Sequence, residues 1–219
     1  MKIKAIVFGA TGMVGEGVLH ECINSSEVEE ILMINRKSFE IKNSKVKELI
    51  IKNFEDFDLV KYDFSNYNAC YFCMGVSSVG MNPDKYYHIT YNLTLLIAKR
   101  LLRENKEMVF CYVSGTGTDS TEKGKIRWAR VKGKTENELL NLGFKDAYMF
   151  RPGYIQPTKG LKNAYTFYKI LSPLYPVIRI LFSSTTCTLS ELGKSMINVT
   201  KHSTTKKVLD NKEIKELGK

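Results

Sequence analysis

No stretch of this sequence stays apolar long enough to cross a bilayer. The most aromatic segment, GLKNAYTFYKILSPLYPVIRILFSSTTC at 160–187, is interrupted by Lys162, Lys169 and Arg179 and broken by Pro173 and Pro176, whereas a spanning helix needs about 20 apolar residues. The opening KIKAIVF has only a four-residue apolar run, AIVF, and no small-residue cleavage site after it, so it reads as a first strand, not a signal peptide. There is no internal repeat, low-complexity tract or flexible linker. The five cysteines are odd in number and mostly embedded in apolar runs, which excludes a disulfide scaffold and suits reduced thiols in a cytoplasm. Cys70 and Cys73 form a C-x-x-C, but in a strand residues three apart face opposite sides, which argues against a metal or redox pair. The formal charge of +10 comes from 33 Lys and Arg against 23 Asp and Glu. Because no block of five or six basic residues occurs, the excess reads as a solubilising surface and argues against nucleic acid as a partner.

What is present is an alternation. KIKAIVF (2–8), EILMINRKS (30–38), VKELIIKNF (46–54), NACYFCMG (68–75), EMVFCYVSG (107–115) and DAYMFRPG (146–153) are near-continuous apolar runs, the pattern of strands buried on both faces of a parallel sheet. Helical patterns separate them: GMVGEGVLHECINS, a long crossover in which Asn82 can cap and Pro83 suits the first turn, and 127–142 with Trp128, Val131, Thr135, Leu139 and Leu142 on one stripe. Two more helices are expected near 188–200 and over NKEIKELGK, with a short run at Lys207–Leu209 between them. Expected is an α/β, Rossmann-like doubly wound parallel sheet. It forms one domain over 1–219, with 154–200 as a small helical cap on the substrate side.

FGATGMVGEG places Gly9, Gly12 and Gly15 directly after a strand and at the start of a helix. Glycine lets the backbone approach a pyrophosphate, whose charge then sits on N–H groups at the helix N-terminus. The spacing is G-x-x-G-x-x-G, and the alternative is a glycine turn without a ligand. At the end of the second strand, where a carboxylate would grip an NAD ribose, stand Asn35, Arg36 and Lys37. A guanidinium with a neighbouring ammonium suits a 2′-phosphate, which favours NADP(H) over NAD(H), unless both merely begin a solvated loop.

GATGMVG, FCMGVSS, YNLTLLIAKRLL, YVSGTGTDS, VKGKTENELL and FRPGYI occur in that order. By these the chain resembles the short-chain dehydrogenase/reductase superfamily, in its atypical branch of NAD(P)-binding, epimerase-like and Tat-interacting-protein-like oxidoreductases. The resemblance runs from residue 2 to about 158 and is looser beyond. It implies that Gly9, Thr11, Gly12, Met13 and Val14 line the pyrophosphate and that Arg36 meets the adenosine end. It also implies Asn53 and Phe54 near the adenine, Cys73, Met74 and Gly75 along the ribose, and Pro152, Gly153 and Tyr154 by the nicotinamide amide. Asn92 falls where such proteins have a structural or relay asparagine.

Reductases of this kind carry Ser or Thr with Tyr-x-x-x-Lys, the last pair sharing one helical face so that the ammonium lowers the phenol pKa and holds the ribose. The matching positions here are Trp128 and Lys132. Lys132 is expected to bind ribose, or else to pair with Glu136 one turn on. Thr116, or Ser114, would polarise a carbonyl. Indole does not titrate near neutrality, and losing a general acid typically costs about 10²–10⁴-fold, so either Tyr154 or Tyr91 supplies a phenol or the reduction needs no acid from that point. Three readings follow: an NADP(H)-dependent oxidoreductase with an unusual proton donor and an unknown small-molecule substrate; a cofactor-binding, redox-sensing or partner-binding protein without turnover; or an interfacial or nucleic-acid role.

Overall fold

The computed structural model describes residues 1–158, 160–163 and 183–219. Seven strands form one parallel sheet in the order β3-β2-β1-β4-β5-β6-β9. They are β1 (Ile3–Phe8), β2 (Val28–Asn35), β3 (Val46–Ile50), β4 (Ala69–Phe72), β5 (Val109–Val113), β6 (Asp146–Arg151) and β9 (Val208–Asp210). Every neighbouring pair runs parallel. The apolar runs have no polar alternation because each strand feeds two cores. In β1, Ile3, Ala5 and Val7 enter one and Ile6 and Phe8 the other. Cys70 and Cys73 likewise lie in or against opposite clusters.

β3 departs from the expectation. It stops at Ile50 and is an edge strand with Lys47, Glu48 and Ile50 exposed, and the chain turns into a short 3-10 segment at Phe54–Leu59. Among the described residues nothing pairs with its outer side, so the apolar reading of 46–54 overstated its burial.

Helices α1 (Met13–Asn24), α5 (Leu189–Lys201) and α6 (Asn211–Leu217) flank one core, while α3 (Leu93–Glu104) and α4 (Arg127–Asn141) flank the other. The long crossover begins with α2 (Pro83–Tyr87), where Asn82 Oδ1 accepts from the N–H groups of Asp84 and Lys85, and passes through a π-turn at His88–Asn92 into α3. α1 lies very close to α5: a methyl group on Gly17 would stand 2.1 Å from Leu189 Cγ, and one on Gly193 2.6 Å from Glu21 Cγ.

The expected cap over 154–200 is resolved into parts. β7 (Tyr154–Gln156) and β8 (Thr186–Thr188) form a two-stranded parallel sheet. α5 is layered on α1. Residues 164–182, the centre of that expectation, lie outside the described residues. The segment leading to them is tied down by Glu16, a buried acid in the first turn of α1, whose two carboxylate oxygens accept from the N–H groups of Lys162 and Asn163, each at 2.7 Å.

Candidate functional site

At the carboxyl end of β1 the chain turns through Gly9, whose φ of +81° is costly for any other residue. A β-carbon there would meet Cys73 C and Met74 N at 2.9 Å, and one on Gly15 would stand 2.1 Å from Gly9 O. The Gly12 N–H donates to Gly9 O at 2.9 Å and no side chain caps α1, so the free N–H groups of its first turn face the crevice. Thr11 is exposed, Met13 is buried and Val14 packs against the core. Met13 and Val14 therefore offer the crevice backbone only.

Beside this turn a groove of about 740 Å³ is lined by Gly9, Thr11, Ile34, Asn35, Arg36, Lys37, Lys52, Phe54 and Met74. Arg36, Lys37 and Lys52 have no carboxylate partner among the described residues. The Oδ1 of Asn35, a residue only 3% exposed, accepts no hydrogen bond. Its Nδ2 donates to Glu48, which also accepts from the Ser38 hydroxyl at 2.7 Å and the Phe39 N–H at 2.8 Å. Burial works against that carboxylate, yet these donors hold it below its ordinary pKa. Glu48 thereby pins the loop on both sides of Arg36 and Lys37.

Lys52 was not anticipated. In the parallel register Ile50 stands beside Asn35, so the residues just past β3 land next to those just past β2. Asn53, expected near the adenine, spends its side chain capping the 3-10 segment, accepting from Glu55 N at 3.2 Å and donating to Asp56 at 3.0 Å. Phe54 and Met74 do line the groove, and Gly75 is exposed with open space beside it. Burial pushes the Cys73 thiol up to about 12.

The ends of β5 and β6 gather the remaining candidates. Ser114 is turned inward, its hydroxyl donating to buried Glu136 and lying 3.1 Å from Phe150 O. Lys132 Nζ donates to Ser114 O. Burial lowers its pKa from 10.5 to about 8, with Glu136 opposing. Glu136 is not paired with Lys132, as the helical spacing suggested, but with Arg151 Nε at 3.0 and 3.1 Å and with the same guanidinium through Nη2. The long-range partner wins because Arg151, at the end of β6, brings a fork that matches both carboxylate oxygens.

Thr116 is exposed, yet its hydroxyl donates to Arg151 O at 3.1 Å and accepts from Asn211 Nδ2 at 3.3 Å. Trp128 is only half-buried, its ring 3.3 Å from where a β-carbon of Gly117 would lie. Pro152 O accepts from the Thr116 N–H and Gly153 N–H donates to Asn211. The Tyr154 hydroxyl donates to Gln156 at 3.1 Å. Tyr91 lies elsewhere, against the Tyr87 ring and under Lys134 on another face of α4. Asn92 is exposed and 3.4 Å from His88 Nδ1, so neither joins Lys132. Glu136, Arg151 and Asn211 were missed, since only a long-range fold brings them here.

No family model matches the chain. Protein FMP52-1, mitochondrial, of Scheffersomyces stipitis is 23% identical over 167 residues, 74% of this chain and 73% of that protein. Protein HTATIP2 of Rattus norvegicus is 23% identical over 160 residues, 71% of this chain and 64% of that protein. The uronate dehydrogenase of Agrobacterium tumefaciens superposes with a TM-score of 0.68 at 13% identity, covering 99% of this chain and 83% of that one. The UDP-glucuronic acid 4-epimerase of Bacillus cereus, in complex with NAD, gives 0.63 at 12% identity over 94% and 76%.

The cytoplasmic expectation is overturned, because fungal relatives of several species carry the word mitochondrial in their names. Buried cysteines in apolar runs suit several reducing compartments and do not say which one holds the protein. The chain has the fold of NAD-dependent, epimerase-like short-chain dehydrogenases/reductases, and its relatives fit the atypical branch of that superfamily which its motifs resemble.

Proposed function

We propose that this chain binds NADP(H) along the crevice at the carboxyl ends of its strands and is an oxidoreductase lacking the usual phenol proton donor. The observation that carries the reading is the groove between β2 and β3: three cations without carboxylate partners among the described residues, next to a buried acceptor that none of those residues satisfies. Asn35 Oδ1 needs a donor, which an adenine amino group or a ribose hydroxyl brings. Arg36, Lys37 and Lys52 offer a 2′-phosphate the charge-assisted donors it requires. The Gly9 and Gly15 positions leave no room for a β-carbon, as a pyrophosphate cradle demands. The residues present therefore fit the dinucleotide.

When bound, the nicotinamide ring supplies or accepts hydride. Around it, Lys132 would hold the ribose hydroxyls, the first turn of α1 would hold the pyrophosphate, and Trp128 would wall the substrate side without moving a proton. Tyr154, the first residue of β7, is the phenol retained for proton transfer. A second reading, dinucleotide binding without turnover, is favoured by one observation: the Ser114 and Thr116 hydroxyl protons are both committed to protein acceptors.

Titration with NADPH and NADH, followed by fluorescence of Trp128, the single tryptophan, tests binding. Arg36→Ala is expected to weaken NADPH about tenfold or more and NADH far less. Equal loss rejects the phosphate assignment, and no binding of either nucleotide rejects the whole proposal. Oxidation of NADPH across a panel of aldehydes, ketones, quinones and enones separates the two readings.

A further inference from the structure

Helix α6 reaches the site through its first residue. Asn211 is 2% exposed and bridges the ends of two strands: its Oδ1 accepts from the Gly153 N–H at 3.0 Å, and its Nδ2 faces Thr116 Oγ1 at 3.3 Å. A backbone N–H can only donate, which fixes the side of the Asn211 amide that is oxygen. The group facing Thr116 is then a donor, Thr116 must accept from it, and the threonine proton goes to Arg151 O at 3.1 Å. One lone pair remains on the hydroxyl of an exposed residue.

Wired in this way, Thr116 cannot donate to a carbonyl without abandoning Arg151 O, which reverses the role that the resemblance implies. We infer that Asn211 is a positioning residue that presents Thr116 as a hydrogen-bond acceptor, and that the donor it receives is the carboxamide N–H of the nicotinamide. The placement supports this. Thr116 and Gly153 follow β5 and β6, whereas Arg36 and Lys52 follow β2 and β3 on the other side of β1. A dinucleotide with its adenosine in the groove extends its nicotinamide half towards Thr116. The carboxamide is the one N–H donor it carries there. The inference rests on the dinucleotide reading and deepens it.

The test uses the intact protein, NADP+, and the 3-acetylpyridine analogue of NADP+, in which a methyl group replaces the carboxamide nitrogen. The quantity read is the ratio of the analogue's Kd to that of NADP+, with Trp128 fluorescence as the signal. Thr116→Val, nearly isosteric and at an exposed position, is expected to weaken NADP+ about 3- to 10-fold, the range of one neutral hydrogen bond. It should leave the analogue's Kd unchanged, so the ratio collapses. Asn211→Ala should lower the ratio in the same direction, and the double variant should lower it no further than Thr116→Val. A purely structural role weakens both ligands equally and leaves the ratio fixed, which overturns the inference, as does a ratio that moves in neither variant. Absence of all dinucleotide binding by the native protein instead defeats the underlying functional reading. Should Asn211→Ala fail to fold, Thr116→Val alone still decides.

Discussion

At Lys132 two demands meet: burial drives the ammonium down to about 8, and the Glu136 carboxylate that opposes this is held by Arg151. With the folded pKa below the unfolded one, the cost of carrying the charge is present in full below pH 8. It is relieved as pH rises from there towards 10.5, because the folded protein releases its proton first. Thermal unfolding should therefore show the native protein gaining stability relative to Lys132→Met across that window. Dinucleotide affinity should run the other way, falling above about pH 8 in the native protein and staying flat in Lys132→Met; a Kd independent of pH in both would remove Lys132 from the ribose. Arg36 and Lys37 were legible in the sequence because a glycine turn fixes where the next strand's end must point. Lys52 was not, since its place depends on a strand register, and no sequence pattern tells that the Ser114 hydroxyl turns inward to Glu136.

Among the elements, α1 is the most constrained, because it carries the glycine turn at one end and meets α5 along its length. Alanine is preferred to glycine inside a helix by about 1 kcal/mol, so propensity alone makes Gly17→Ala stabilising. The β-carbon, however, would come within 2.1 Å of Leu189 Cγ, on a side chain that is itself fully buried, and overpacking of this kind costs about 1–3 kcal/mol. Sterics should win: the melting temperature of Gly17→Ala is expected to fall by several degrees, at about 2–4 °C per kcal/mol for a chain of this size. A rise would mean that the two helices separate easily. The long elements were readable because each repeats its pattern several times, as the double-sided apolar runs of β1, β4, β5 and β6 do. β7, β8 and β9 have three residues each, too few for a period, and only pairing partners far along the chain make them strands.

Across the whole molecule, the +10 charge divides into lysines and arginines scattered over the surface and the three gathered at one groove. Exposed charges are screened by salt, so the proposed preference for NADPH over NADH should shrink as salt is raised from about 0.05 to 0.5 M. A preference that does not change would place the phosphate away from Arg36, Lys37 and Lys52. The doubly wound architecture was legible because it follows from alternation, while the compartment was not, since thiol chemistry is shared by several. The two hydrogen bonds that Glu16 makes to the Lys162 and Asn163 amides have one more use. These two amides are fastened to the first turn of the helix that we propose holds the pyrophosphate, so their exchange with deuterium is slaved to that turn. Ligand binding should slow both, and Glu16→Gln should quicken them, making residues 162 and 163 a remote isotopic reporter of whether the crevice is filled.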